Sequence, residues 1–168
     1  MRSQPYSRFH PQFNRESLSS ELRRVGIAYV FLGDELGARS KDPACYERGR
    51  VQYDRLAATA LFQRGLDRVR EGMRSHRLAL MCAEKEPLDC HRTILIARHL
   101  AAAEVAVDHI LADGAIESHG AAMDRLIGKL GLPAADLFRT REDMVADAYR
   151  IQGERISYSL PPDKSPER

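Results

Sequence analysis

Five side chains able to hold, move or attack a reacting group fall in one short stretch, LALMCAEKEPLDCHR: Cys82, Glu84, Cys90, His91 and Arg92. The run LALMC reads as a buried strand ending at Cys82, and CHR opens a helix predicted from about Cys90 to Ala102. A helix amino end exposes backbone N–H groups and the positive end of its dipole, and both favour anions. Asp89 is the expected N-cap. A thiol in that first turn, beside His91 and Arg92, should lose its proton more readily than a free one. Cys90 is therefore the expected activated sulfur, with Cys82 packed or supporting.

Three chemistries can use this set. In one, Cys90 is a nucleophile, His91 or Glu84 handles a proton, and Arg92 holds an anionic substrate group. In another there is no covalent step, and the loop and helix end simply hold a phosphate or carboxylate. In the third, Cys82, Cys90 and His91 ligate a metal. Spacing argues against that one, because paired structural zinc ligands are usually only about two to four residues apart. Here residues 83–89 separate the cysteines and no second ligand pair follows, so neither metal nor cofactor is expected. The competing structural reading makes both cysteines small core residues. The phosphatase pattern that pairs a cysteine with an arginine is not met, since Leu88 and Ile96 stand where the arginine would be.

Further candidates lie elsewhere. Arg2, Ser3, Ser7 and Arg8 share the segment RSQPYSR, and arginine is suited to bidentate binding of phosphate or carboxylate. Glu35 and Arg39 occupy GDELGAR, where glycines let the backbone turn sharply. For both segments the alternative is a solvated loop. Tyr46 and Tyr53 have the spacing to share a helix face, as pocket lining or as packing. His109 should lie near His91 if their strands are neighbours, with Asp113 and His119 in the following loop.

The elements that must position these residues alternate. Residues 1–13, punctuated by Pro5 and Pro11, read as loop. A helix is predicted over 16–25, a buried strand over 27–32 (IAYVFL), a loop over 33–42, and two helices across 44–72. A strand over 78–82, the helix from Cys90, a third strand over 105–111 (VAVDHIL), and helices near 119–131 and 141–152 complete the order. Alternating strands and helices predict an α/β fold: a mainly parallel sheet covered by helices on both faces, a three-layer sandwich. In such sheets the site lies outside the carboxyl ends of the strands. That rule selects the loops 1–13, 33–43, 83–90 and 112–119, which carry the candidate residues.

Bulk composition bounds the rest. The 168 residues, 43% hydrophobic and 30% charged, fit one globular domain, expected over 1–158, with 159–168 as a disordered tail. A net charge of +2 does not call for nucleic acid or a membrane surface. Three cysteines make no disulfide framework, and MRSQPYSRFHPQF has no apolar core of a signal peptide, so reduced thiols in the cytoplasm are expected. The longest uncharged run, 25–33, is far shorter than the roughly 20 apolar residues of a spanning helix.

RSQPYSRFHPQF, GIAYVFLGDELGAR, LALMCAEKEPLDCHR, VDHILADG with His119, and DLF followed by AYRIQGERISY together resemble the family known as domain of unknown function 488. The matches run in order from residue 2 to about residue 158. The resemblance implies an α/β sandwich whose site carries Arg2, Ser3, Ser7, Arg8, Glu35, Arg39, Cys82, Glu84, Cys90, His91 and Arg92. It also implies a leading strand, helix and second strand ahead of Arg2, and hence a truncated copy or a start placed too far downstream. Apolar faces left bare would cost on the order of 25 cal/mol per Å² and favour a homo-oligomer. Ala38 stands where the family usually has a second glycine, at a cost of roughly 1 kcal/mol if positive φ is required there.

The expected function is an enzyme acting on a small anionic, nucleotide-like substrate, with Cys90, His91 and Glu84 reactive and arginines holding the anion. Its rivals are a non-catalytic sensor of an anionic ligand and a protein that reads nucleic-acid phosphates through Arg2, Arg8 and Arg39. The near-neutral net charge disfavours the last.

Overall fold

The computed structural model describes residues 2–133 and 138–161. Helices dominate, and each has a local reason to start or stop. Helix α1 (Arg15–Arg24) carries Glu16 in its first turn and Arg23 and Arg24 in its last, matching the helix dipole. The short helix α2 (Gly33–Leu36) precedes a two-residue hairpin, β1 (Tyr46–Glu47) with β2 (Arg50–Val51), and helix α3 (Tyr53–Ala57). In α4 (Ala60–Met73) the Thr59 hydroxyl accepts from the Phe62 N–H at the start, and Phe62, Gly65, Leu66 and Val69 form its buried stripe. Leu36 of α2 seats on Gly65, where a Cβ would stand 2.7 Å from the leucine side chain.

A π-helical stretch (Arg92–Ala97) runs into α5 (Arg98–Ala101). Strands β3 (Asp108–Ile110) and β4 (Ile116–Ser118) pair antiparallel, with His109 opposite Glu117. Helix α6 (His119–Leu130) is capped by the Ser118 hydroxyl and ends at Gly131, whose φ of 64° few other residues adopt cheaply. Helix α7 (Arg141–Ile156) opens with a reciprocal Thr140–Asp143 capping box.

Two buried clusters form the core. Leu36, Phe62, Leu66 and Val69 meet Leu95, Ile96 and Leu100 in one. Leu88, Met123, Leu126, Ala148 and Tyr149 meet Ile94 in the other. Residues 93–97 are all buried because this stretch is wedged between the two clusters.

The architecture is α/β in the broad sense, but the expected parallel three-layer sheet is not formed. Among the described residues there are only two antiparallel two-stranded sheets. The runs 27–32 and 78–82 carry no ladder, and Ile27 and Val30 are 53% and 62% exposed. An apolar β-branched run favours burial in a sheet, but the partner strand must come from elsewhere in the chain. Of the third predicted strand only 108–110 pairs, and it pairs in a hairpin, because Asp113-Gly114 turns the chain straight back. Ser159 bridges to Arg50, and the Leu160 N–H donates to the Gly49 carbonyl at 2.7 Å, so the expected tail begins with ordered residues. The remainder of that tail, 162–168, lies outside the described residues. No helix among the described residues is long and apolar enough to cross a membrane.

Candidate functional site

The segment 82–92 folds back on itself. Pro87–Asp89 form a tight turn in which the Glu86 carboxylate accepts from the Leu88 N–H at 3.0 Å. Helices α6 and α7 pin this loop from outside. Arg125 donates to Glu86 at 3.0 Å and to Glu117 at 2.8 Å, Lys129 pairs with Asp89 at 3.2 Å, and Gln152 donates to the Leu88 carbonyl at 2.9 Å. Asp89 does not cap the following helix as expected, because its carboxylate is engaged by Lys129 and Gln152. The Cys90 sulfur takes that place, accepting from the Arg92 backbone N–H at 3.4 Å.

Four groups converge at the closed end of the loop. The Cys82 sulfur lies 3.6 Å from His91 Nδ1, and the Cys90 sulfur lies 3.9 Å from the same nitrogen. The Cys90 thiol also stands 3.2 Å from Glu84 Oε2, and the Arg92 Nε–H donates to its sulfur at 3.3 Å. The proton donated by Cys82, with help from Arg92, holds Cys90 below the usual thiol range against the opposing effect of burial. Donation to Cys90 and then burial push Cys82 well above that range. Burial alone would raise Glu84, but hydrogen bonds from Cys82, the backbone and Cys90 outweigh it and leave the carboxyl lowered. Among the described residues His91 Nε2 is buried without a partner.

The exposure of the two sulfurs is the reverse of that expected. Cys90 is 0% exposed, whereas Cys82 is half-buried and lines a cleft of about 320 Å³. Arg2, Ser3, Ser7, Arg39, Glu84 and His91 line the same cleft. The N-terminal segment is brought there by close backbone contact. At Gly37 a Cβ would stand 2.7 Å from Ser3 Oγ and 2.9 Å from Ser3 Cα, and the Arg39 N–H donates to Ser3 Oγ at 3.1 Å. Gly37 has a φ of −70°, and Ala38 is not among the positive-φ residues, so room rather than a left-handed backbone explains the glycine. The penalty foreseen for Ala38 does not arise.

Arg39 spreads its guanidinium over the Tyr158 ring at 4.5 Å, and among the described residues it pairs with no carboxylate. Arg2 gives two donors to the carbonyls of Pro5 and Phe13, leaving others for a ligand. Ser7 Oγ accepts from the His10 N–H at 3.1 Å.

Three predicted site residues face elsewhere. Arg92 sits behind Cys90 and donates to the carbonyls of Glu84 and Leu80 rather than to the cleft. Glu35 is ion-paired with Arg68 and lines a different depression. Arg8 is exposed outside the lining. Tyr46 and Tyr53 do not share a helix: Tyr46 is in β1 with its hydroxyl on the Ser40 carbonyl at 2.7 Å, while Tyr53 starts α3 and lines the cleft.

His109 does not reach toward His91. Its Nε2 lies 2.9 Å from His119 Nδ1, and His119 Nε2 lies 2.6 Å from the Tyr149 hydroxyl, all three side chains being buried. This chain joins β3, α6 and α7 and has no local sequence signature. Tyr158 under Arg39 also lacked a signal, since neither spacing nor composition links positions so far apart.

These loops and motifs define the class: the sequence matches the family described as "Domain of unknown function DUF488" over residues 1–99. That is more than half of the chain, and the protein belongs to this family. Neither the curated proteins nor the solved structures contain a match to it.

Proposed function

We propose that this chain is an enzyme acting on a small anionic, nucleotide-like substrate in the cleft between the N-terminal segment and the 82–92 loop. One observation carries the reading: arginines from residues 2 and 39 face the same space as Cys82, Glu84 and His91. A guanidinium stacked on an aromatic ring and lacking a counterion is ready to take a phosphate or carboxylate with little loss of rotamer freedom. The anionic group sits at the arginine wall, which directs the rest of the substrate toward the floor. Cys82 and Glu84 touch the substrate there and His91 serves the proton. Cys90, sealed behind them, positions the cluster.

The high proton affinity of Cys82 favours a second reading, a non-catalytic sensor of the same ligand class, since a thiol that keeps its proton is a poor nucleophile. Titration calorimetry with inorganic phosphate and a nucleoside monophosphate tests the cleft. Arg39→Ala should weaken binding about 10- to 100-fold, the loss expected for a charge-assisted hydrogen bond. Equal affinity in Arg39→Ala, or no anion binding at all, would overturn the reading. Cys82→Ser separates enzyme from sensor: it abolishes turnover of a bound substrate in the first and leaves the sensor's affinity unchanged.

A further inference from the structure

Cys82 and Glu84 line the cleft, and the Cys90 sulfur and the His91 ring lie directly against them. Cys82 Sγ, Cys90 Sγ, His91 Nδ1 and a Glu84 carboxylate oxygen all lie within 4.8 Å of one another. We propose that they bind one zinc-like divalent ion, with Cys82, Cys90 and His91 as lasting ligands and Glu84 as the exchangeable one.

The distances carry the inference. Tetrahedral zinc, with bonds of about 2.3 Å to sulfur and about 2.0–2.1 Å to nitrogen or oxygen, sets its ligand atoms about 3.3–3.8 Å apart. The measured edges are 3.6 Å for Cys82 to His91, 3.9 Å for Cys90 to His91, and 3.2 Å for Cys90 to Glu84. The remaining edges are no longer than 4.8 Å, so an ion enters with side-chain shifts of up to about an ångström. The spacing objection concerns short knuckles. Here the Pro87–Asp89 turn closes the loop and brings its ends together despite the intervening residues.

Two further observations agree. His91 is 6% exposed, and among the described residues its Nδ1 reaches only the two sulfurs, which are weak partners for a buried imidazole but fit a nitrogen that ligates a metal. The Cys90 sulfur accepts from both the Arg92 backbone and its Nε, the outer-shell support a metal-bound thiolate receives. Two sulfurs and an imidazole select a borderline ion over magnesium or calcium. Each sulfur that enters as a thiol releases its proton to solvent, and no electron moves. Glu84 is the exposed member. Resting on the anion reading, we take it that a substrate oxygen displaces this carboxylate from the cleft side while Arg39 holds the substrate's charge.

The test uses cobalt(II) alone, added to the full chain after chelation and thiol reduction. One cobalt per chain should give thiolate-to-metal charge-transfer absorption and the intense d–d bands of a four-coordinate site, and zinc should bleach both. Arg92→Leu should weaken cobalt affinity about 10- to 100-fold, as loss of an outer-shell partner does. Cys82→Ser and Cys90→Ser should weaken it more. Glu84→Gln should keep the charge-transfer band with altered d–d bands, and Cys45→Ser should change nothing. Circular dichroism checks each fold, and Cys82→Ser, on the cleft wall, decides the matter if Cys90→Ser does not fold. No charge-transfer band at saturating cobalt with free thiols, or undiminished affinity in Cys82→Ser, overturns the site. Since the probe is the ion alone, that failure leaves phosphate binding at Arg39 standing, and loss of phosphate binding leaves the cobalt spectrum intact.

Discussion

His91 and His119 are both buried imidazoles, but their surroundings differ in kind. His119 is fully engaged by oxygen and nitrogen partners, with His109 on one side and Tyr149 on the other. Among the described residues His91 meets only sulfur at one nitrogen and has no hydrogen-bond partner at the other. The first arrangement is complete without a ligand and ties three elements together. The second leaves polar capacity unused among the described residues, which is what the proposed ligand-binding role requires and a purely structural network does not.

The largest effect that tests this contrast is on stability. His119→Leu should cost about 2–4 kcal/mol in urea unfolding, because it strands the Tyr149 hydroxyl and His109 Nε2 in the interior. His91→Leu in the metal-free chain should cost less than about 1 kcal/mol, since it strands no strong partner. Equal losses would erase the distinction.

Next in size is acid sensitivity. Burial, reinforced by His109, lowers His119 from 6.5 to about 4, and burial also lowers His109. The neutral His119 ring accepts at one nitrogen and donates at the other, and a doubly protonated ring has no lone pair left for the accepting bond, so protonation favours the unfolded chain. The associated stability is complete above about pH 6.5 and is lost as the pH falls toward 4. The loss should be about 2 kcal/mol, discounting for partial solvation from 1.36 kcal/mol per unit. His119→Leu should flatten that profile, and a profile unchanged in the variant would mean that other groups govern it.

The smallest effect concerns the other histidine's neighbour. Arg92→Leu removes the Nε donor but keeps the backbone one, so the Cys90 thiol should titrate closer to the ordinary thiol range, followed by thiolate absorbance. The cost in stability should be about 1 kcal/mol. A titration identical to the parent would leave Arg92 no part in holding that sulfur.

Legibility in the sequence followed range. Cys82, Glu84, Cys90 and His91 are near neighbours in sequence, and their types mark them as a candidate set that the structure does gather in one place. That Arg2, Ser3, Ser7 and Arg39 would join them came from a rule about loops at one end of a sheet and from family resemblance. The cleft formed although the parallel sheet behind that rule did not. Which sulfur faces the cleft was illegible, because it depends on how the turn after Glu86 is pinned by Arg125, Lys129 and Gln152. Arg92 was misdirected for the same reason: a guanidinium that near a sulfur and two free carbonyls turns inward. The helices were visible through their caps and apolar stripes, whereas 27–32 and 78–82 show that an apolar run does not disclose its partner.

The notch at Gly37 has a practical corollary. Since Ser3 lies flush against that turn, one wall of the cleft is furnished by a segment far in sequence from the 82–92 loop. Any side chain placed at position 37 would push that wall outward and widen the mouth of the cavity, so ligand screening calls for the glycine to be kept.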